Sequence, residues 1–509
     1  MISKLSLKRS SFCFSVIPRI DRLPRVVLFS ALLCAQAAGL RAAPLENWRL
    51  PFYRIAADFE RTEGAPSRMF WDGIDSVSLF DTSLWSSCNV QDRNYWHFEP
   101  NAAGGYHYPS EHRSQYFHTD LFHEARFHNV LVRQVVDVDT RYNDDPLYPA
   151  HPDRFARGLM EEALLQVNWK YGFLRIGRQK RNWGPFPDRS LILSNNPYAY
   201  DAVECQIAGG IFEFRHLFAP FTFAGSWRDT DNGNATGRYL TAHSLNLMFG
   251  KWVTFGITET VVFTRRDGLP DLQYVNPVAL YTVVNTNQEG NGNLMLGMQW
   301  NIHPFTDAVA LRGQLVFDDF QVDDEIETDR EPTHWGIDAG VYWYNPLRIS
   351  RCETMLKLEV AHLSEWMYTV TDNNGNSGER YNYGGKSLGY PFNDGTRVRL
   401  EGVVIPGNRG AAQIAFTYNL RGGNTELSRW HDNEHTPGLP VSENRPVEKR
   451  IAAGLGGVYY FKDYVGCTMY ADAGGLRNKG NNVTAHWSFD PSLSLELTVH
   501  FSDFFIKLP

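Results

Sequence analysis

The densest group of chemically active side chains lies between Arg175 and Tyr200, a stretch that reads RIGRQKRNWGPFPDRSLILSNNPYAY. Its cations can pair with uronic-acid carboxylates or phosphates. Its indole and phenol rings can stack on sugar rings, and its amides can bond to hydroxyl groups. This variety predicts a polysaccharide contact made by one set of side chains: Arg181, Trp183, Arg189, Asn195, Asn196 and Tyr198.

A second interpretation of this stretch stays open, in which it stabilises the protein's interior. Arg178, Arg181 and Arg189 would then pair with internal carboxylates, while Trp183 and the prolines stiffen the loop. The two interpretations differ in what a substitution should damage. A binding loop loses ligand when Trp183 and Arg189 are truncated, whereas a structural loop loses assembly.

No motif in the chain predicts catalysis or metal binding. The sequence has no GxSxG, P-loop or GxGxxG pattern. His123 and His128 are five positions apart in an extended segment, so they face opposite sides. Residues 229–234 resemble a calcium loop, but the glycine is misplaced and no glutamate completes it. The cysteines are widely spaced without a CxxC pair. We therefore predict no catalytic residues, no metal and no cofactor.

Composition narrows the class of protein that must position these residues. The 509-residue chain is 14% aromatic and 21% charged, with a mean hydropathy of -0.37. It lacks the 18-residue apolar run that a spanning helix needs, so a polytopic helical membrane protein is excluded. Two classes remain, a large soluble β-protein and a transmembrane β-barrel whose wall is apolar on one face only.

Alternation of apolar and polar residues favours the barrel. The last segment is the clearest example, with Leu493, Leu495 and Leu497 on one face and the polar Glu496 and Thr498 on the other. Segments of roughly ten residues recur in this pattern, the length of a tilted membrane-spanning strand. At 100° per residue a helix would scatter each stripe around its whole circumference.

Counting these segments predicts an all-β fold, a transmembrane antiparallel β-barrel of about 18 strands over residues 115–509. Tight connections at 170–172, 250–251, 462–463 and 490–491 alternate with long ones at 180–206, 265–290, 365–395 and 421–448. The count places both chain ends at the rim with the long loops, which is unusual for exported barrels. Either an edge strand such as 94–108 has been missed, or some long loops face the periplasm.

The N-terminal part has a different character. Residues 1–37 predict a signal peptide, with six basic residues against one acidic residue and an apolar stretch ending in small residues. Residues 38–114 predict an irregular segment that plugs the barrel or caps its periplasmic mouth. The chain carries a net charge of -8, which disfavours a nucleic-acid partner. Export by a signal peptide and a barrel wall together predict the outer membrane of a Gram-negative cell.

An ordered series of short motifs carries a resemblance to a known family. It comprises Glu162-Ala163, Gly177-Arg178, Trp183-Gly184-Pro185, Ser190 to Asn196, Ala242 to Leu245, Gly256 to Glu259, Asn276-Pro277, Asn293 to Gly297, Leu315 to Phe320 and Leu388 to Pro391. In this order, over about residues 160–425, they resemble the Wzi-type capsule assembly family of outer-membrane proteins.

That resemblance implies a barrel of about eighteen strands that binds capsular polysaccharide and helps to hold it on the cell. We therefore expect a non-catalytic protein that binds and anchors, or helps assemble, capsular or other surface polysaccharide. Its expected partners are that polysaccharide and the surrounding outer-membrane lipid and lipopolysaccharide. The alternative is a porin-like diffusion channel for sugars or anions. A third possibility is an outer-membrane hydrolase whose nucleophile lies on a separate strand from its other groups.

Overall fold

The computed structural model describes residues 94–507 apart from short gaps. These gaps are 109–114, 149–156, 170, 187–188, 222–236, 251, 266–267, 288–291, 305–307, 320–332, 350–351, 372–376, 407–409, 426–427, 431–445, 463–464, 485 and 502–503. The predicted signal peptide at 1–37 and residues 38–93 of the predicted irregular segment lie outside the described residues. No helix in the described part of the chain is long and apolar enough to cross a membrane.

Eighteen antiparallel strands form one closed barrel, which confirms the predicted fold class. The strands are β1 (Tyr95–Tyr108), β2 (Gln115–Phe127), β3 (Val130–Asp139), β4 (Arg157–Trp169), β5 (Gly172–Gln179), β6 (Tyr200–Gly209), β7 (Phe212–Phe221), β8 (Gly237–Phe249), β9 (Val253–Arg265), β10 (Gly292–Ile302), β11 (Val309–Asp319), β12 (His334–Tyr344), β13 (Glu353–Leu363), β14 (Gly395–Ile405), β15 (Gly410–Arg421), β16 (Glu448–Lys462), β17 (Val465–Arg477) and β18 in two parts, Ser488–His500 and Phe504–Lys507. Strand β1 closes the barrel by pairing with β2 and with both parts of β18.

Short elements decorate the connections. Two helices, α1 (Leu272–Val275) and α2 (Tyr281–Asn287), lie between β9 and β10. Single 3-10 turns occupy Thr140–Asn143, Ser377–Glu379 and Lys479–Asn481. Two-residue strands pair Val370–Thr371 with Arg429–Trp430 and Asn382–Tyr383 with Lys386–Ser387.

The two faces of the wall differ in polarity as the alternation predicts. In β10, Leu296 is exposed on the outer face, whereas Gln299 and Asn301 are buried in the lumen. The phenol of Tyr116, an inward residue of β2, donates a 2.8 Å hydrogen bond to Glu496 of β18. This bond places the carboxylate of Glu496 in the lumen. Leu497 therefore points outward, so the wall is apolar toward lipid and polar inside.

The barrel begins at Tyr95 rather than at residue 115, so the predicted boundary is corrected. Pro100 and the two glycines of β1 are unusual in strands, so the sequence of β1 resembles an irregular segment. Pro100 has no amide to donate, and it lies opposite the interruption between the two parts of β18. A Cβ on Gly105 would lie 2.3 Å from Cζ of Tyr116, so only glycine leaves room for that ring.

The tight turn predicted at 490–491 is wrong, and so is the separate strand that would have to end there. Ser488–His500 is one continuous piece of β18, and Pro491 pairs with Ala473 of β17. Strand β1 reaches only as far as Leu493, so Pro491 has a neighbouring strand on one side alone. Proline is tolerated at such an edge because its missing amide interrupts no ladder. The predicted number of strands is nevertheless correct, because the prediction misses β1 and counts one extra strand before residue 490.

Adding β1 also shows at which rim the barrel begins and ends. Tyr95 pairs with Lys507 at the rim that carries the two-residue turns 128–129 and 210–211. The opposite rim carries the long connections, among them 180–199, 266–291 and 364–394. Short turns face the periplasm in outer-membrane barrels. By this rule the barrel begins and ends at the periplasmic rim, as expected of exported barrels, and the long loops belong to the outer rim.

Candidate functional site

The connection 180–199, here called the first inward loop, folds into the lumen. Leu191, Ile192 and Leu193 have no exposed surface. The backbone amide of Leu191 donates a 2.6 Å bond to the side-chain oxygen of Gln314, an inward residue of β11. A Cβ on the inward Gly297 of β10 would lie 2.2 Å from Cδ1 of Ile192. The wall is therefore shaped to receive this loop.

The connection 364–394, here called the second inward loop, packs against the first. The phenol of Tyr368 donates a 2.7 Å bond to the carbonyl of Leu191, and the amide of Ser194 donates a 2.7 Å bond to the carbonyl of Leu388. Arg238 of β8 donates to the backbone carbonyls of Arg380 and Asn382, at 2.6 and 2.8 Å. The two loops thus form one plug that is bonded to the wall.

An apolar cluster fills the space between the plug and the strands β6 to β13. The wall supplies its small and aliphatic members: Ala202, Leu217, Ala219, Leu240, Ala242, Val262, Met295, Val316, Ala361 and Leu363. The wall also supplies two aromatic members, Tyr200 and Phe221. The plug supplies the rest: Trp183, Leu191, Ile192, Leu193, Tyr198, Met367, Tyr368, Tyr381, Tyr383, Leu388 and Tyr390. An inward wall that is apolar at this level provides the packing that holds the loops inside.

Three of the six predicted contact residues lie within this plug. Arg181 is 1% exposed, donates a 2.9 Å bond to the carbonyl of Tyr200 and lies 3.5 Å from a carboxylate oxygen of Glu204. Trp183 is 3% exposed, with the guanidinium carbon of Arg215 4.7 Å from its ring centre.

Arg189 completes this group. It pairs with two inward carboxylates, Asp338 at 2.6 Å and Glu359 at 3.1 Å. These contacts are the ones expected from the structural interpretation of the loop.

The other three predicted residues lie at the outer end of the same loop. Asn195 and Asn196 are partly exposed, and the side-chain amide of Asn196 donates a 2.9 Å bond to the carbonyl of Ser387. Tyr198 is buried, and its hydroxyl donates to the carboxylate of Asp145. This half of the loop therefore meets two other long loops at the mouth of the barrel.

Tyr198 belongs to a group that we call the rim cluster: Tyr142, Asp145, Tyr148, Tyr198 and Lys386. The rings of Tyr142 and Tyr148 stack with centroids 5.3 Å apart, and the ring of Tyr198 meets that of Tyr142 edge-on. The ammonium of Lys386 lies 4.0 Å from the centre of the Tyr198 ring and 3.0 Å from Asp145.

The electrostatics of the rim cluster keep its charges fixed at neutral pH. Burial, followed by hydrogen bonding to Asp145, raises the pKa of Tyr198 well above its ordinary value. Burial opposes ionisation of Asp145, but bonds from Tyr198 and Lys386 outweigh it and lower the pKa of that carboxyl. The cluster therefore presents neutral phenols beside an ionised carboxylate and a lysine.

Sequence reasoning missed Tyr142, Tyr148 and Lys386. Tyr142 and Tyr148 lie in the stretch RYNDDPLY, whose mix of aromatic and polar residues resembles the predicted loop. No local signal places Lys386 beside Tyr198, because 188 positions separate them. Tyr274 and Tyr381, which belong to two other long loops, are fully buried.

One group of side chains among the described residues has the spacing of a metal site, formed by His118, Asp137 and Asp139. Its carboxylates already accept protein bonds. The phenol of Tyr142 donates to Asp137, and Arg141 donates to Asp139 at 2.7 Å. We assign no ion to this group.

Comparison with known proteins supports the fold. No family model and no curated protein matches the sequence. Among solved structures, the chain resembles Wzi of Escherichia coli, described as an outer-membrane protein involved in group 1 capsule assembly and a carbohydrate-binding β-barrel, at 12% identity and a TM-score of 0.56, covering 94% of this chain and 98% of that one.

Two porin structures from Pseudomonas aeruginosa also match. OccK11 shares 9% identity over 81% of this chain and 96% of its own, with a TM-score of 0.41. OprD shares 8% identity over 82% of this chain and 96% of its own, also with a TM-score of 0.41. At these identities the comparisons bear on the fold alone. The chain therefore has the fold of these outer-membrane proteins, a closed β-barrel of eighteen antiparallel strands.

Proposed function

We propose that this barrel binds and anchors, or helps assemble, capsular or other surface polysaccharide without catalysing a reaction on it. The observation that carries the proposal is the rim cluster. Three loops bring aromatic rings, a lysine and amide groups together at the outer mouth, on top of a packed plug. Such a surface is preorganised, so little entropy is lost when a polymer settles on it.

Each component suits a different part of an acidic sugar. Tyr142 is partly exposed and offers a ring face for stacking. Lys386 keeps about a quarter of its side chain exposed, and the neighbouring Arg141 about half, so both can meet uronate or phosphate groups. Asn195 and Asn196 can bond to hydroxyls. Within the predicted set, we therefore propose that Asn195 and Asn196 contact the ligand and that the buried Tyr198 holds Lys386 in place. Arg181, Trp183 and Arg189 support the plug.

The likeness to Wzi supports the proposal at the level of fold, since that protein is described as a carbohydrate-binding barrel involved in capsule assembly. The plug adds a separate reason. Loops packed into the lumen over β6 to β13 provide a solid platform, which suits holding a polymer better than passing small solutes.

A porin-like channel for sugars or anions is the second candidate, because the lumen is not lined uniformly. Along β14 to β18 most inward polar residues are only partly buried, among them Arg399, Gln413, Thr417, Asn419, Arg450, Asp472, Ser492, Ser494 and Glu496. Partly exposed polar groups can line a water-filled passage beside the plug. Stable open-channel currents from the purified protein in planar bilayers would favour this candidate.

The decisive experiment for anchoring is deletion of the gene, followed by measurement of polysaccharide retained on cells and shed into the medium. We expect retention to fall and shedding to rise, with recovery when the wild-type gene is restored. Restoration with a variant carrying Tyr142→Ala and Lys386→Gln should recover barrel assembly but not retention. Equal amounts of polysaccharide retained by the deletion strain and its parent would contradict the anchoring proposal.

A further inference from the structure

The connection between β9 and β10 lies outside the barrel. Residues 268–287, here called the outer flap, cover outward-facing side chains of the wall. The ring of Tyr274 stacks on that of Phe263 with centroids 4.7 Å apart, and the phenol of Tyr239 donates to the carbonyl of Gly268. Phe263 belongs to the outer stripe of β9 and has no exposed surface. The outer flap is therefore packed on the face that the rest of the barrel turns to lipid.

Polar contacts fix the start of α2 to the wall. The carboxylate of Glu259 accepts bonds from the amide of Tyr281 at 2.9 Å and from the hydroxyl of Thr282 at 2.7 Å. The same carboxylate lies 2.9 Å from Nε2 of His243, and the phenol of Tyr281 lies 2.8 Å from the hydroxyl of Thr241. Glu259 and His243 both point outward, so the outer flap shields a polar pair on the outer wall.

This arrangement explains why a glutamate interrupts the apolar stripe of β9. From the sequence alone we would expect a bulge or a position near the rim at Glu259. The pairing of β9 with β8 and β10 runs through Glu259 without a shift, and Glu259 lies in the middle of the strand. The bulge is therefore absent at this position, and the glutamate faces the outer flap.

Depth within the wall follows from the strand geometry. Glu259 lies six positions before Arg265, where β9 ends. A tilted strand rises roughly 2.5 Å per residue along the barrel axis, so Glu259 lies about 15 Å below that end. The apolar band of an outer-membrane barrel is about 25 Å tall. The start of α2 thus reaches the level of this band.

The side of the outer flap that faces away from the wall carries five exposed aliphatic side chains beside uncharged polar ones. Its exposed members and their exposed fractions are Leu269 (67%), Leu272 (79%), Val278 (78%), Leu280 (62%) and Val283 (52%). Lipid-facing wall residues that the outer flap does not cover, such as Leu245 and Ile257, are 44% and 45% exposed. The flap residues are more exposed than these, and leaving such a patch in water is unfavourable.

We propose that the outer flap is inserted into the outer leaflet of the outer membrane, with its aliphatic face against lipid acyl chains. The occupant is hydrocarbon because the aliphatic face continues the lipid-facing band of Leu245, Ile257 and Leu296 across the flap. A second reason is the shielded pair, since Glu259 and His243 would meet hydrocarbon directly if the flap lifted. The connection is an embedded part of the wall and not a free extracellular loop.

Spin-label accessibility tests this assignment. The native cysteines are replaced by alanine, single cysteines are introduced by Leu280→Cys and Val283→Cys, and each labelled protein is reconstituted into liposomes. Ile257→Cys provides a lipid-facing reference. Val483→Cys provides a matched water-facing control, because Val483 is an 82% exposed valine in another long-rim loop. Heat-modifiable migration on gels confirms that each variant has assembled.

We expect labels at positions 280 and 283 to collide with oxygen more than with a water-soluble nickel complex, by a ratio close to that at 257 and several-fold above that at 483. Nickel accessibility like that of position 483 would overturn the proposal, because the flap would then lie in water. Shielding from both reagents would also overturn it, because a second copy or another protein would then cover the aliphatic face.

Discussion

The guanidinium of Arg189 pairs with the carboxylate of Asp338 inside the barrel, with 2.6 Å between Nε and Oδ2. Asp338 has no exposed surface, and 149 positions separate the two residues. Glu359 on the neighbouring strand lies 3.1 Å from the same guanidinium. The first inward loop is thus tied to β12 and β13, and Arg189 stabilises the plug from below the mouth.

Arg189→Ala should loosen the plug, because it leaves Asp338 buried without its guanidinium. Removing one partner of a buried ion pair costs about 3–5 kcal/mol, much of it from the charge left behind. We expect faster proteolysis of the first inward loop and larger, noisier currents in planar bilayers.

The control for this variant is Arg189→Ala combined with Asp338→Ala, which removes both charges from the β12 contact. It should recover part of the loss. Wild-type proteolysis and currents in Arg189→Ala alone would contradict the structural role of this residue.

Lys386→Gln should weaken the binding of an acidic polysaccharide, because it removes a cation beside the ring of Tyr198. We expect a loss of about 1–2 kcal/mol, on the scale of interface truncations, that shrinks as salt screens the interaction. Titration calorimetry with purified polysaccharide at two ionic strengths measures both effects. Lys479→Gln, an exposed lysine of another long-rim loop, is the matched control. Equal losses in the two variants would point to a diffuse charge effect.

Glu379 should make the packing of the second inward loop in the lumen, here called its seating, depend on pH. Burial raises the pKa of this carboxyl to about 7, despite opposing contributions from Thr264 and Arg238. Between pH 4.5, the ordinary pKa of the group, and about pH 7, the carboxyl stays protonated while the loop is packed in the lumen. In the same pH range the carboxyl is ionised when the loop is exposed to water. Seating is therefore most favourable below pH 4.5 and weakens as the pH rises to 7, by up to about 3 kcal/mol.

Limited proteolysis of the second inward loop between about pH 5 and pH 8 measures this effect. We expect cleavage to rise with pH in the wild type relative to Glu379→Gln, which retains the shape but cannot ionise. Identical pH profiles for the two proteins would rule out a contribution from Glu379.

Leu497→Arg should cost roughly 2–4 kcal/mol, because Leu497 lies on the lipid-facing side of β18 and a cation there must enter hydrocarbon. Thr498→Arg should cost far less, since Thr498 points into the lumen toward Glu496, 3.4 Å away. Urea unfolding in lipid vesicles and heat-modifiable migration compare the two variants. Similar losses for both would mean that the faces of β18 are wrongly assigned.

Away from the plug and the outer flap, the amino-acid sequence alone is enough to tell which residues face lipid and which face the lumen. Alternation is a local property, because successive side chains of a strand point to opposite faces whatever its neighbours are. The alternating pattern therefore assigns Leu497 to the outer face and Gln299 to the lumen without any knowledge of strand pairing. The alternation does not predict strand β1, because Pro100 and Gly105 interrupt the pattern of apolar and polar residues. The fold accommodates these two residues through contacts with β18 and Tyr116, which the local sequence does not show.

The positions of the loops depend instead on tertiary packing. Nothing near Arg189 in the sequence shows that it meets Asp338, and nothing near Glu259 shows that a helix lies over it on the outer wall. Arginine, tryptophan and tyrosine serve equally well in a binding loop and in a buried plug, so residue type could not separate Trp183 from Tyr198. The difference arises from packing between residues far apart in the chain, which closure of the barrel brings together.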